Sequence, residues 1–521
     1  MKEKIIRNLK KVAQNCGLTD TEIKLDYPEN PDYGDFSSNI ALIGAKKLGL
    51  KPRELAERIK NEIEDVFKKE NDDFIEKVEV AGSGFLNFFV NNKVIAEEIV
   101  NISKNGSEYG RSIFRKDENI LVEYTDPNAF KVFHIGHLMS NAIGESISRL
   151  IEYSGASVKR ICYPSDIGLH IAKAIWAIKQ NAGDLPADTA TIQQKTDFLG
   201  KMYVIGTKAY ETEEKIKKEI DVLNKIIYEK SDKEVNELYE KGRKWSLDHF
   251  ELIYKTLDTK FDDCIYESEM ASIGLATAEE SFEKGVLERS EGAIVFKGEK
   301  YGLHTRVFVS SNGIPTYEAK DLGLNITKFK KFPDTNRSII VTASEQNDYF
   351  KVLLKVFSLI DEKNGQKTTH IGHGMMRFLA GKMSSRTGNV VTAESLLEDI
   401  KNLAKEKIAG RKFTKKEVEE ISEMIAVAAI KYTILRSSIG GDIAFDSTAS
   451  ISFEGDSGPY LQYSAVRANS ILEKAKDEKI TITNPIELPE KISRLESLVL
   501  RFPDMVMRAT YENGPQIIAN Y

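Results

Sequence analysis

The sequence predicts an α/β protein in which a doubly wound parallel sheet is flanked by a small α+β domain and a helical bundle. Between residues 113 and 395, short β-rich runs alternate with helix-like stretches, which is typical of parallel strands connected by helices. The last part of the chain has long helical patterns without β-rich runs. Because 521 residues are too many for one ordinary hydrophobic core, we expect two to four domains, and the patterns along the chain indicate three.

The first domain is expected to cover residues 1–112. It opens with an amphipathic helix-like segment and contains the strand-like sequence EKVEVAGSGFLNFFV. Helices packed on a short sheet would bury the apolar positions of both patterns. The polar, glycine-containing stretch 101–119 is then the expected connection to the second domain.

The second domain, residues 113–395, is expected to hold the parallel sheet. Its strands are predicted in the runs ILVEYT, VKRICYP, RSIIVTAS and TTHIGHG. A charged helical insertion is predicted at about 184–257. The third domain, residues 396–521, has an almost wholly helical pattern, which predicts an α-helical bundle.

Composition excludes several classes of protein. Charged residues make up 30% and hydrophobic residues 41% of the chain, as in globular rather than disordered proteins. No apolar run is long enough to span a membrane. The net charge of −6 does not favour nucleic acid, so any RNA contact must depend on local patches and shape. The three scattered cysteines form no CxxC pair, so we expect a reducing cytoplasm, with neither disulfides nor a metal site.

Two short motifs carry the chemical information. The first is FHIGH at 133–137, which follows the strand-like ILVEYT and a polar turn and opens a helix-like stretch. His134 and His137 can both face a phosphate near this helix start, and Gly136 lets a nucleotide approach the backbone. The second motif is GKMSSR at 381–386. Its Lys382 is suited to pyrophosphate.

Each motif alone has an ordinary structural explanation. The histidines could be solvated residues at a surface helix start, and the second motif could be a solvated basic loop. Ser384 and Ser385 add hydrogen-bond donors beside Lys382, and Lys131 adds positive charge close to His134. The occurrence of both motifs in strand-and-helix surroundings favours a nucleotide site.

Polar clusters around the first motif indicate the second substrate. They combine carboxylates with amides, which together suit a guanidinium, because its planar fork takes bidentate partners. Any one of these residues could instead be a helix cap or a surface acid. The candidates are Glu123, Asp126, Asn128, Tyr317, Asp321 and Gln346.

The two motifs resemble the signature pair of class I aminoacyl-tRNA synthetases, and the chain is similar to arginyl-tRNA synthetases over nearly its whole length. Residues 123–137 match that family's run from a glutamate to the HIGH motif, and Tyr317, Asp321 and the pair Glu345–Gln346 match two further elements. The resemblance implies a Rossmann-like catalytic domain that joins L-arginine to tRNA(Arg). It also implies ATP with Mg²⁺ as substrate, no tightly bound cofactor, and activation that waits for bound tRNA.

The resemblance also assigns roles to residues. The six polar candidates would contact arginine, and His134, His137, Lys131 and Lys382 would act in catalysis. A larger set would bind ATP, and within it Met375 and Met376 would contact ATP through their backbones. This set is His134, Gly136, His137, Met375, Met376, Lys382, Ser384 and Ser385.

The flanking domains resemble the family's tRNA-binding parts. The first domain is similar to the module that contacts the tRNA elbow, and the last domain is similar to the anticodon-binding bundle. The resemblance also implies a monomer. Aromatic and amide side chains are suited to stacking on and reading unpaired bases, although GPYLQY could simply pack helices together. The candidate RNA contacts are Phe85, Asn87, Tyr460, Gln462 and Tyr463.

The sequence also departs from the family pattern. Tyr349 stands where the family usually has a histidine, His170 replaces a glutamine, and Ser83 replaces a proline. The bundle is expected to be shortened, because the family continues past ENGPQIIANY through further helices.

Two alternatives remain open at this point. One is a class I synthetase of the lysine type, although a lysine ammonium would not need the bidentate partners that the amides provide. The other is a synthetase-like protein that binds tRNA without charging it.

Overall fold

The structure is a computed structural model, and its described residues divide into two compact units. The smaller unit combines Met1–Gly110 with Ala475–Asp504, and the larger combines Arg111–Lys474 with Met505–Tyr521. The described residues are 1–19, 21–28, 30–70, 72–378, 391–480 and 493–521.

The smaller unit is built on a three-stranded antiparallel sheet with the order β1-β3-β2. Its helices bury apolar stripes against this sheet, for example Ile5 and Leu9 of the first helix and Ile59 and Ile63 of the third. Its elements in chain order are α1 (Lys2–Asn15), β1 (Phe36–Ser38), α2 (Ile40–Leu48), α3 (Pro52–Lys69), β2 (Ile75–Ala81), β3 (Phe85–Val90) and α4 (Asn92–Asn105).

The larger unit is built on a five-stranded parallel sheet with the order β11-β10-β4-β5-β6. The chain leaves β4 toward one edge and returns to β10 on the other side of β4, so the order reverses between these two strands. Its first elements are β4 (Asn119–Tyr124), α5 (Ile135–Tyr153), β5 (Ser157–Cys162), α6 (Leu169–Gln180), α7 (Ile192–Thr212), α8 (Glu214–Glu229), α9 (Lys233–Thr256) and β6 (Asp263–Cys264).

A small antiparallel sheet, β7-β8-β9, follows before the chain returns to the main sheet. In the chain, its strands fall between the helix that contains Gly274 and the helix that contains Gly323. These two helices pack closely on each other, because neither glycine places a side chain at their contact. These elements are α10 (Glu267–Glu283), β7 (Glu288–Ser290), β8 (Ala293–Phe296), β9 (Arg306–Val309), α11 (Tyr317–Lys331), β10 (Arg337–Ala343), α12 (Asn347–Ile360), α13 (Glu362–Gly365) and β11 (Thr368–His373).

The remaining elements are helical apart from two short strands, which pair in parallel. Within the described ranges, no helix has the length and apolar character needed to cross a membrane. The elements are β12 (Met376–Phe378), α14 (Ala393–Ile408), α15 (Lys415–Leu435), β13 (Ile443–Phe445), α16 (Ser447–Ser450), α17 (Gly458–Asp477), α18 (Arg494–Glu512) and α19 (Pro515–Asn520).

The predicted fold class is confirmed. The four β-rich runs of the second domain form β4, β5, β10 and β11, and all of them pair in parallel. The sequence did not predict β1, β6, β7, β12 and β13, because strands of two or three residues are too short to show a period.

Close packing of α5 on β4 fixes the start of α5 relative to the sheet. A Cβ atom at Gly144 would lie 2.3 Å from Cγ of Tyr124. The Tyr124 ring is fully buried, and its hydroxyl donates to Glu145 at 2.5 Å. Only glycine at position 144 therefore lets α5 pack this closely on β4, because any side chain there would overlap the Tyr124 ring.

We expect Gly144→Ala to destabilise the larger unit by about 1–3 kcal/mol, because the added methyl group must displace the Tyr124 ring or α5. The apparent melting temperature of the full chain should fall by several degrees. Gly183→Ala is the matched control, since a Cβ at Gly183 meets no atom within 4 Å. Equal melting temperatures for the two variants would contradict this packing argument.

Candidate active site

The predicted site residues gather where the strand order of the sheet reverses. The loops after β4, β5 and β10 leave the sheet at its carboxyl edge, and α5 and α11 begin close to them. In open parallel sheets this reversal opens a crevice in which ligands bind.

The loop after β4 has an unusual backbone. Thr125, Asp126 and Phe130 have φ values of 82°, 43° and 63°, which non-glycine residues rarely adopt. Hydrogen bonds hold the loop in place, because Ser140 Oγ accepts from the Thr125 N–H at 2.9 Å and Asp126 accepts from the Tyr163 N–H at 2.8 Å. Strain of this kind is found most often at functional sites.

The two histidines of FHIGH stack on each other at the N-terminus of α5, with ring centroids 3.7 Å apart. His134 is the N-cap residue, and its Nδ1 accepts from the Gly136 N–H at 3.1 Å. Its proton therefore lies on Nε2. The amide nitrogen of Asn128 lies 3.4 Å from Nε2 of His137, and Nδ1 of His137 is buried without a partner among the described residues.

Both histidines are neutral donors at pH 7. Burial, followed by the charge of Lys131, lowers the pKa of His134, and burial, followed by His134 and Lys131, lowers the pKa of His137 well below its usual range. Each ring can thus donate an N–H to an anion without carrying a charge of its own. Positive charge comes from Lys131, whose Nζ lies 4.9 Å from the Tyr203 ring centroid.

His170 is a third buried histidine close to Lys131. Burial, followed by the charge of Lys131, lowers its pKa to about 3. Its Nε2 lies 3.3 Å from the Ser165 carbonyl oxygen, and its Nδ1 has no partner in the described part of the chain. A neutral imidazole thus stands where the family has a glutamine.

Three buried carboxylates near the crevice have cationic partners. Lys328 Nζ donates to Glu123 at 2.5 Å, and the Lys328 side chain is fully buried. The other two pairs are Lys320 with Glu267, and Arg243 with Asp166 at 2.6 Å. Sequence analysis identified none of these cations, because the partners are 53 to 205 residues apart and no local pattern links them.

Two further carboxylates, Asp126 and Asp321, have no ion pair in the described ranges. Burial, followed by the charge of Glu123, raises the pKa of Asp126 well above its usual range. Burial raises the pKa of Asp321 to about 8, and the Tyr349 hydroxyl donates to it at 2.5 Å. Each of these acids also acts electrostatically on the other. Both carboxyls therefore favour their neutral form more than an exposed carboxyl does, and neither has a cationic partner in the described part of the chain.

The remaining polar candidates lie around these acids. Tyr317 and Asp321 are one turn apart on α11, and half of the Tyr317 side chain is exposed. Gln346 is exposed at the end of a short 3-10 turn, Ser344–Gln346, that follows β10. Asn128 is half-buried beside His137.

The segment 381–386, with Lys382, Ser384 and Ser385, lies outside the described residues. The residues that follow the gap contact the histidine motif. The Ala393 N–H donates to the Phe133 carbonyl at 2.8 Å, and Thr392 forms a β-bridge with His134.

The two methionines predicted to bind ATP lie at β12. The Met375 N–H donates to Asp442 at 3.0 Å, and its carbonyl accepts from Ile443 at 2.8 Å, so both backbone groups already have partners. Met376 pairs with Ile443 in the β12–β13 ladder and is buried. Their role toward ATP stays a prediction.

The five predicted RNA contacts differ in exposure. Phe85 is exposed, whereas Asn87 is buried and accepts from Ser37 at 2.8 Å. Tyr460 and Tyr463 are exposed on α17, as is Gln462, whose amide donates to the Met424 carbonyl at 3.3 Å.

Comparison with known proteins agrees with this geometry. The family profile "tRNA synthetases class I (R), catalytic domain" matches residues 98–447, and "Arginyl tRNA synthetase N terminal domain" matches residues 1–90. The chain belongs to the arginyl-tRNA synthetase family. The class I assignment made from the two sequence motifs is thus confirmed, and the use of ATP as a substrate follows from it.

Relatives in this family match along the whole chain. The arginine–tRNA ligase of Borreliella burgdorferi is 31% identical over 531 residues, covering 99% of this chain and 88% of the relative. That of Treponema pallidum is 30% identical, covering 96% and 86%. The Thermus thermophilus arginyl-tRNA synthetase structure, 22% identical, shares the fold with a TM-score of 0.78 and covers 100% of this chain and 90% of its own.

Metal binding has no dedicated site in the part of the chain that the structure describes, since no group of three or more His, Cys, Asp or Glu residues is arranged to hold an ion.

We expect Lys328→Met to destabilise the larger unit by about 3–5 kcal/mol, because it leaves the buried Glu123 carboxylate without its partner. Lys330→Met is the matched control on the same helix, since Lys330 is exposed. Thermal unfolding of both variants measures the difference. A melting temperature for Lys328→Met equal to that of the control would show that the ion pair is dispensable.

Proposed function

We propose that this protein activates L-arginine with ATP and transfers the arginyl group to the 3′ end of tRNA(Arg). Membership of the arginyl-tRNA synthetase family supports this proposal. The observation that carries it is the pair of half-buried acids, Asp126 and Asp321, which form no ion pair within the described ranges. Arginine has two cationic groups, its guanidinium and its α-ammonium, and so matches this pair in charge.

The amino-acid pocket follows from charge and geometry. A guanidinium that loses water needs an ionised partner and directional acceptors. Asp126 and Asp321 supply the negative charges, while Tyr317, Asn128 and Gln346 supply polar groups around them. Glu123 is bound by Lys328 and is proposed to accept only with its remaining oxygen.

In the reaction, the arginine carboxylate attacks the α-phosphate of ATP and pyrophosphate leaves. The neutral N–H groups of His134 and His137 are proposed to donate to the phosphates, and Lys131 is proposed to add positive charge. Gly136 leaves room for the nucleotide beside the backbone. Mg²⁺ arrives with ATP and neutralises part of its charge.

Lys382, Ser384 and Ser385 are proposed to bind the pyrophosphate portion, as the sequence motif predicts. Support comes from residues 391–393, which lie downstream of these three residues in the chain and hydrogen-bond to the first motif.

The tRNA is proposed to contact both ends of the chain, with the N-terminal domain at its elbow and the C-terminal helices at the anticodon. Phe85, Tyr460 and Tyr463 are the exposed aromatic candidates for stacking on bases. We propose a monomer that works in the cytoplasm.

The test is aminoacylation of total tRNA with labelled arginine or lysine as the sole amino acid, together with arginine-dependent pyrophosphate exchange. We expect charging with arginine and not with lysine. Asp126→Asn should lower kcat/KM for arginine at least about 30-fold, because a desolvated cation loses its charged partner. Asp334→Asn, an exposed change in the same unit, is the control.

Charging with lysine would contradict the assignment of the pocket to arginine. Absence of both charging and exchange would instead favour a protein that binds tRNA without activating an amino acid.

A further inference from the structure

We propose that Tyr349 is a positioning residue that sets the affinity for the substrate guanidinium by holding the carboxylate of Asp321 through its hydroxyl. This inference rests on the proposed activation of arginine. It concerns a position at which the sequence departs from the family pattern, and it goes beyond the arginine contacts predicted above.

The first support is the geometry of the contact. Tyr349 lies in the first turn of α12 and Asp321 in the second turn of α11. The Tyr349 hydroxyl donates to Asp321 Oδ2 at 2.5 Å, and Oδ1 of Asp321 receives no hydrogen bond from any described residue. One carboxylate oxygen is therefore fixed, while the other is left for a ligand.

The second support is that the tyrosine ring is itself held in place. It packs edge-to-face on Phe350, with centroids 5.1 Å apart and an interplanar angle of 88°. The guanidinium of Arg306 lies 5.7 Å from the centroid of the Tyr349 ring, and Arg306 also pairs with Glu318 at 3.7 Å. A ring fixed on two sides directs its hydroxyl to one place.

The third support is the electrostatic surroundings of Asp321. Burial and the charges of Glu123 and Glu267 favour its protonated form, whereas the Tyr349 hydrogen bond and Lys320 favour the ionised form. Lys320 is already paired with Glu267. The titratable and charged groups that face Asp321 are Glu123 on β4, Asp126 after β4, Tyr163 after β5, Glu267 on α10, Lys320 on α11 and Tyr349 on α12.

Loss of the Tyr349 hydroxyl is expected to raise the pKa of Asp321. The hydrogen bond lowers the pKa of Asp321, which is about 8 in its presence, so Tyr349→Phe raises it further. A larger fraction of Asp321 is then neutral at pH 7, and a neutral carboxyl attracts a guanidinium less. The defect should diminish at pH 9 and above, where the carboxyl ionises in both proteins.

The experiment is arginine-dependent pyrophosphate exchange with tRNA(Arg) present, for wild type and Tyr349→Phe, between pH 6 and 9.5. We expect the KM for arginine to rise about 3- to 10-fold at pH 7, with kcat and the KM for ATP within about 2-fold of wild type. The acid limb of kcat/KM for arginine should move to higher pH by about 0.5–1 unit.

Tyr301→Phe is the matched control, because Tyr301 lies in the same unit and stacks on Phe296 away from the acids. It should leave the KM and the pH profile unchanged. The variant Tyr349→Phe keeps the ring, and its melting temperature should stay close to that of wild type.

A Tyr349→Phe variant with the wild-type KM and acid limb would overturn the inference, as would a loss confined to kcat without movement of the acid limb, which indicates a purely structural role. Both results leave the proposed function intact, provided that the wild type activates arginine. A wild type that fails to activate arginine would refute the proposed function instead.

Discussion

Five carboxylates lie close together at the carboxyl edge of the parallel sheet, and three of them, Glu123, Asp166 and Glu267, are buried. These three have cationic partners, whereas Asp126 and Asp321 form no ion pair among the described residues, and burial raises the pKa of both. A cationic substrate bound beside Asp126 and Asp321 would favour their ionised forms, which burial opposes. The proposed affinity for a cationic amino acid thus depends on which of these acids lack an ion pair.

The fold keeps these charges at fixed distances. Strands β4 and β5 each lead into a loop that carries part of the acid cluster, and Asp126 links the two loops by accepting from the Tyr163 N–H. The close approach of α5 to β4 at Gly144 places the histidine pair beside the same loop. The histidine pair and the acid cluster are therefore positioned by one rigid arrangement.

Much of this could be predicted from the sequence. The β-rich runs predicted the parallel strands, and the FHIGH motif predicted a helix start at which His134 and His137 lie together. Glu123, Asp126 and Asp321 were also selected from the sequence, and their role toward arginine stays a prediction. What the sequence could not give was the distinction between paired and unpaired acids, because Lys328 lies 205 residues from Glu123, and only the folded sheet brings α11 to β4. The burial of Asn87 had no signal either, since alternation in β3 is weak.

The most direct test of this account is calorimetric titration of the protein with L-arginine at pH 7 in two buffers of different ionisation enthalpy. If Asp321 has a pKa of about 8 in the free protein and must ionise to bind a guanidinium, binding should release about one proton or more at pH 7. The released fraction should decrease toward pH 9. Identical heats in both buffers at pH 7 would contradict the account, since they would mean that no acid in the pocket loses a proton when arginine binds.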